Sequence, residues 1–400
     1  MNICIFSNLF PPIPSGSSHM AYRLACKMVN AGHQVTVFCA CLDGSPRQET
    51  LSGVKVIRLP ALKLPRIGLT HNFQWFGFTL LPWNLITLRR FFRQNKVDII
   101  HSHNHIFDLS IAAVWMARYA RVPLALTLHT IAQHPAPLSN AALRVLDSTL
   151  AKYMVVRKAD AVISVDVQMK EYIQRRFGVC QTSMIPYGID LPDIKAADRQ
   201  RIRAQYNLGN GPVILSLGHL HALRDRKELI HAMPLILSRR PDARLLIVGD
   251  VCIKTPERWI AELGLEGKVI LTGAVPQKEV PAFLSAADIE AHWLANVAGI
   301  SLAGMEAMAA GLPIVTVEFS NEEEANGLVS WENIVTVPRN NPKAVAEAIL
   351  RLLDSPDLRH RLGQNGKRYI IERFSWDSVG RQSEKLYRDL IDRATASEEK

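Results

Sequence analysis

Ala298-Gly299-Ile300-Ser301-Leu302-Ala303-Gly304-Met305-Glu306-Ala307-Met308-Ala309-Ala310-Gly311-Leu312-Pro313-Ile314-Val315 decides how this 400-residue chain is read. A glycine-containing loop opens into a helix of small residues, Gly311 closes it, and an apolar strand follows. Small residues let another backbone approach closely, and the free amides of a helix N-terminus attract anions. The segment therefore offers a diphosphate the amides of Gly299, Ile300 and Ser301. Glu306 is the exception among Leu302, Ala303, Met305 and Ala309. A carboxylate there is costly to bury unless it accepts hydrogen bonds. Ribose hydroxyls would supply them; the other reading turns Glu306 to solvent or a neighbouring arginine.

Outward from this stretch, short apolar runs at 213–217, 243–248, 269–272, 289–292, 313–317 and 334–337 alternate with helical segments, the pattern of a parallel α/β sheet. The N-terminal half repeats it. A strand at 2–8 runs into Pro11-Pro12-Ile13-Pro14-Ser15-Gly16-Ser17, a helix follows with Ser17 or Ser18 as its expected N-cap, and strands are expected at 34–40, 54–59, 97–102, 124–129 and 161–165. Met184-Ile185-Pro186-Tyr187-Gly188-Ile189-Asp190 ends a strand in turn chemistry and marks a boundary. The expected organisation is a Rossmann-like domain over 1–186, a second over 187–375, and a helix with a polar tail over 376–400 packing back on the first domain. Sheets of this kind bind ligands at the carboxyl ends of their strands, so the expected site is an interdomain cleft lined by strand-to-helix loops.

Composition agrees with an ordinary enzyme: 48% hydrophobic and 21% charged residues, with no readable secretory signal and no transmembrane span. Cys4, Cys26, Cys39, Cys41, Cys180 and Cys252 form no CxxC pair and read as reduced residues, which suits a cytoplasmic location. The net charge of +10 is unevenly spread. Residues 55–96 hold no acid, while Lys55, Arg58, Lys63, Arg66, Arg89, Arg90, Arg93 and Lys96 alternate with Phe73, Trp75, Phe76, Phe78, Trp83, Phe91 and Phe92. Two readings stay open: a patch facing an anionic membrane from the cytoplasmic side, or a surface helix whose aromatics belong to the core. Nucleic acid is not an expected partner. His101, His103 and His105 share one strand face without carboxylates, which argues against a metal.

Glu306 with its Glu-Ala-Met-Ala-x-Gly-x-Pro continuation resembles the E-x7-E motif of the family-4 retaining glycosyltransferases, whose fold is called GT-B. Ile185-Pro186-Tyr187-Gly188-Ile189-Asp190 is similar to that family's hinge. Residues 32–37, 98–103 and Phe374-Ser375-Trp376 resemble further landmarks, in the family's order. The resemblance implies that Glu306 holds the donor ribose, the amides of Gly299, Ile300 and Ser301 the diphosphate, and His129 the sugar near the reacting carbon. Three positions depart from the pattern. His219 stands where an arginine is usual, with Arg224 at the following cationic position and Arg226 or Lys227 as compensating charges; Ala298 replaces the motif's first glutamate; Ser15 replaces the first glycine of a Gly-Gly loop, leaving Gly16 to admit substrate.

The expectation is a retaining glycosyltransferase that needs no metal and no cofactor. It would move a sugar from a UDP-, GDP- or ADP-sugar to a glycan or lipid-linked acceptor, with His129, Arg224 and Glu306 catalytic and Gly16, His219, Gly299, Ile300, Ser301 and Glu306 on the donor. The alternative is a GT-B scaffold that binds nucleotide or glycan without transfer, suggested by Ala298 and His219. A dehydrogenase is disfavoured because neither first strand leads into G-x-G-x-x-G.

Overall fold

The computed structural model describes residues 1–398 except 14, 42–43, 64–76, 135, 221–224, 292–299 and 321. The chain divides into two compact units, Met1–Gly188 with Trp376–Lys400, and Ile189–Ser375.

In the first unit β1 (Asn2–Ser7) runs into α1 (Gly16–Asn30) and returns as β2 (Gln34–Cys41), parallel to β1 with Ile3 opposite Val35. The sheet continues through β3 (Gln48–Leu51) and β4 (Val54–Pro60), while β5 (Leu62–Lys63) and β6 (Gly77–Phe78) form a separate two-stranded ribbon. It is completed by β7 (Ile99–His103), β8 (Leu124–Leu128), β9 (Ala161–Ser164) and β10 (Ser183–Met184). The spatial order is β10-β9-β8-β7-β1-β2-β4-β3, with only β3 antiparallel to its neighbour. The chain thus builds outward from β1 to one side, then restarts at β7 and builds to the other, placing the switch point between β1 and β7.

Helices cover both faces, which is why β8 reads as a nearly continuous apolar run and β7 is buried along its whole length despite His101, Ser102 and His103. One core packs α1 and the C-terminal helix Trp376–Glu398 on the sheet, with Met20, Leu24, Val379 and Tyr387 buried. The other packs α2 (Pro82–Gln94), α3 (Asp108–Ala120) and, beyond α4 (Pro137–Leu146), a π turn Asp147–Ala151 and α5 (Lys152–Met154), the helix α6 (Val167–Phe177). The aromatic stretch divides accordingly. Phe92 is buried and Phe91 packs beside it, both against Phe38, whereas Trp83 is 55% exposed on the same helix and 64–76 lie outside the described residues. The cap of α1 differs from expectation: Ser15, in extended backbone, accepts the Ser18 amide at 3.0 Å, so the helix starts earlier than a Ser17 or Ser18 cap would allow.

The second unit carries α7 (Ala196–Gln205), β11 (Val213–Leu217), α8 (Lys227–Arg239), β12 (Arg244–Val248), α9 (Thr255–Glu262) and β13 (Val269–Leu271). Next come α10 (Val280–Ala286), β14 (Ile289–Ala291), α11 (Leu302–Ala309), β15 (Ile314–Val317), α12 (Glu322–Ala325), β16 (Val335–Val337), α13 (Pro342–Asp354) and α14 (Pro356–Phe374). All six strands are parallel in the order β13-β12-β11-β14-β15-β16, so the switch point lies between β11 and β14. Gly218 and Gly249 follow β11 and β12 with φ of 114° and 150°, and a Cβ on Gly249 would stand 2.4 Å from the Gly218 carbonyl oxygen. Only glycine lets these two strand ends lie so close.

Candidate active site

Both switch points fall on segments singled out by sequence. In the first unit Gly16 opens α1 just after β1, His103 closes β7, and His129 follows β8, the next strand over. A Cβ on Gly16 would meet nothing within 4 Å, so packing does not require the glycine and the space before that helix turn is open.

The histidines behind it are engaged with one another. His103 Nδ1 lies 2.9 Å from His129 Nε2, the rings stacked at 8°, and His129 Nδ1 lies 2.9 Å from the Tyr187 hydroxyl. His101 bridges Tyr387 (2.6 Å) and Thr127 (2.7 Å), and His105 meets the buried Asp147 at 2.9 Å, where Tyr172 also donates to the carboxylate. The strand-face alternation is as expected, but each histidine spends a ring nitrogen on a different partner. Burial pushes His101 and His129 down to about 3 and His103 well down as well, with neighbouring imidazoles adding to the effect on the last two. All three are neutral near pH 7. Because His103 and Tyr187 occupy both ring nitrogens of His129, what His129 presents outward in this geometry is its carbon edge and backbone.

In the second unit α11 begins four residues after Ala298, with Ser301 as N-cap accepting the Gly304 amide at 3.3 Å. Ser301 and Ile300 are half-buried, and the amides of Leu302 and Ala303 are the ones an α-helix leaves without an internal partner. Glu306, half-buried one turn on, accepts a 2.9 Å hydrogen bond from Gln277 Nε2. Burial raises its carboxyl above the usual range, the Gln277 amide opposes that, and the Asp190 carboxylate adds to it. Such a group gains from further donors.

On the other side of the switch point, His219 is exposed beyond β11, and its Nδ1 accepts the Asp250 amide at 3.2 Å. With Nδ1 accepting, Nε2 is the ring nitrogen that can donate to a phosphate oxygen. Arg226 does not act as the surface cation expected of it. It is 0% exposed, and its guanidinium donates to Ser216 Oγ (2.7 Å) and to the Leu217 carbonyl (2.9 Å). Lys227 is exposed. Arg224, Ala298 and Gly299 lie outside the described residues. Sequence reasoning passed over His103 as a partner of His129, Gln277 as a partner of Glu306, and Asp190 beside it; Tyr187 and Asp190 were quoted only as parts of a hinge.

Two parallel α/β units in series, each with its candidate residues on loops at the switch point, define a GT-B protein with a phosphate-compatible helix N-terminus in its second unit. The comparisons agree. The family model "Glycosyl transferases group 1" matches residues 198–369, and "Glycosyltransferase Family 4" matches 14–192. The chain belongs to the group 1, family 4 glycosyltransferases. It is similar to a glycogen synthase of Mycobacterium tuberculosis, 25% identical across 97% of this chain and 94% of that protein. A GDP-mannose-dependent phosphatidylinositol monomannoside mannosyltransferase of Mycolicibacterium smegmatis is 24% identical over 94% of this chain and 95% of its own. Among solved structures, Anabaena Alr3699/HepE in complex with UDP superimposes with a TM-score of 0.69 at 17% identity, covering 98% of this chain and 100% of that one. Among the described residues no helix is long and apolar enough to cross a membrane.

Proposed function

We propose that this glycosyltransferase moves a sugar, with retained anomeric configuration and without a metal, from a nucleoside diphosphate sugar to a glycan or lipid-linked acceptor. The observation that carries the reading is topological: Gly218 and His219 follow β11 and α11 follows β14, the two strands that flank one switch point, where α/β sheets bind nucleotides. Glu306 would accept the ribose hydroxyls. The amides of Gly299, Ile300 and Ser301, which precede α11 in the chain, together with His219 Nε2, would hold the diphosphate, and Arg224 would offset the charge that collects on it as the glycosidic bond breaks. His129, kept neutral and fixed by His103 and Tyr187, would border the sugar, and Gly16 would let substrate approach α1. The similar proteins name UDP in one case and GDP-mannose in another, so both bases are carried forward along with ADP.

The mannosyltransferase relative acts on a phosphatidylinositol glycolipid and another, of Streptococcus pneumoniae, is an alpha-monoglucosyldiacylglycerol synthase, which supports a lipid-linked acceptor and work at the cytoplasmic membrane face. Within residues 55–96, Trp83, Arg89, Arg90 and Arg93 are exposed and support a membrane contact there. The test is a mass-spectrometric screen of common UDP-, GDP- and ADP-sugars for consumption, followed by determination of the anomeric configuration of the product. A second reading, a scaffold that binds without transfer, is favoured by Ala298 and His219 standing where a glutamate and an arginine are usual. Nucleotide binding without turnover across the whole panel would select it.

A further inference from the structure

We infer that the helical segment from Pro137 to Met154 is a docking face for an anionic lipid surface. Its α4 portion buries no residue, although it is apolar along one side. Leu138 is 88% exposed, Val145 62%, Leu146 48%, Leu150 49% and Tyr153 55%, a stripe at helical spacing that the described residues leave about half or more open. The segment is not loosely attached. Asp147 turns inward to His105 and Tyr172, and Val155 and Val156 are buried at its end. The chain has therefore fixed this helix with its polar anchor inside and its apolar side out, the reverse of a helix that stabilises its own domain.

Charge selects the occupant. Between residues 82 and 160 the sequence has ten Lys or Arg, no Glu and four Asp. Each Asp is spent internally: Asp98 accepts the Asn2 amide, Asp108 the Leu80 amide, Asp147 pairs with His105, and Asp160 accepts the Leu124 amide. Arg144, Arg157 and Lys158 are exposed beside the stripe, and Arg157 lies 5.4 Å over the Tyr153 ring, as cations do around an interfacial tyrosine. Apolar side chains rimmed by cations, in a stretch where Lys and Arg outnumber acids ten to four, fit phospholipid headgroups and acyl boundaries. A second copy of this chain would bring a like-charged rim against this one. The inference adds a surface to the membrane reading made for residues 55–96 and leaves the transfer reaction untouched, so its test uses no donor or acceptor.

The full chain is sedimented with vesicles of phosphatidylcholine alone and with about a third phosphatidylglycerol. The expected result is salt-sensitive binding to the anionic vesicles, reduced about tenfold or more in the Val145→Gln, Leu146→Gln, Leu150→Gln triple variant. The thermal midpoint and UDP affinity of the variant stay unchanged, since these side chains are exposed. Arg157→Gln with Lys158→Gln should weaken binding to anionic vesicles and leave neutral vesicles unaffected. Three results overturn the inference: no binding of the native chain to anionic vesicles, equal binding by the triple variant, or a homodimer seen in sedimentation velocity that the triple variant dissolves while vesicle binding persists. Failure of the donor screen with intact vesicle binding would instead overturn the transfer reading alone.

Discussion

Glu306 is a carboxylate raised by burial, held by one amide and facing the charge of Asp190. If its added donors are ribose hydroxyls, Glu306→Ala removes charge-assisted hydrogen bonds worth roughly 1.5–3 kcal/mol, a loss in nucleotide affinity of about tenfold or more by calorimetry. Affinity should also fall on acidification at a pH above the ordinary carboxylate range, because the protonated acid accepts less well. An unchanged affinity in the variant would remove Glu306 from the site. Arg224→Ala, by contrast, should lower turnover more than affinity, because its proposed partner charge grows only as the bond breaks. His129 is clamped at both nitrogens, so Tyr187→Phe should lower kcat with little change in KM, and equal kinetics would show that the clamp is idle. The sequence displayed these residue types but not their pairing. His103 and His129 are 26 positions apart, and they meet only because β7 and β8 pair with His103 opposite Thr127. Arg226 sits in the polar run His-Ala-Leu-Arg-Asp-Arg-Lys and reads as surface; only the strand ends behind it turn its guanidinium inward.

At the level of elements, strands and helices were legible because apolar periodicity and breakers agree along most of the chain, and the strands at 213–217 and 314–317 lie where the pattern put them. The start of α1 was less so. In Ser15-Gly16-Ser17-Ser18 three hydroxyls can cap, and backbone dihedrals choose among them. Ser15→Ala should cost about 1 kcal/mol in urea unfolding. The glycines divide by cause. Gly363→Ala would push a Cβ to 2.1 Å from the Gly311 carbonyl oxygen, where α14 crosses the end of α11, and should lower the thermal midpoint by several degrees at least. Gly16→Ala meets no atom and should leave the midpoint alone while weakening substrate binding. Equal substrate affinity in that variant would leave Gly16 without a role at the site.

Over the whole molecule, buried neutral histidines tie stability to pH. His101 is 1% exposed and pushed from 6.5 to about 3, so between those values the unfolded chain binds a proton that the folded one does not. Stability contributed by its neutral form is present above pH 6.5 and is lost as pH falls, at roughly 1 kcal/mol per pH unit for this group, with His103 and His129 acting in the same direction. Urea midpoints should fall steadily below pH 6.5; a flat profile down to pH 4.5 would contradict the buried neutral histidines. Family and fold were readable from spaced motifs that survive in order along the chain, whereas sugar and acceptor depend on loop shapes that residue types alone do not fix. The most direct test of the central claim is donor turnover by the intact chain, with product analysed by mass spectrometry. One nucleoside diphosphate sugar should be consumed with release of the nucleoside diphosphate, and Glu306→Ala should slow consumption about tenfold or more at limiting donor. Tight nucleotide binding with no consumption of any UDP-, GDP- or ADP-sugar, with glycan and lipid acceptors supplied, would contradict it.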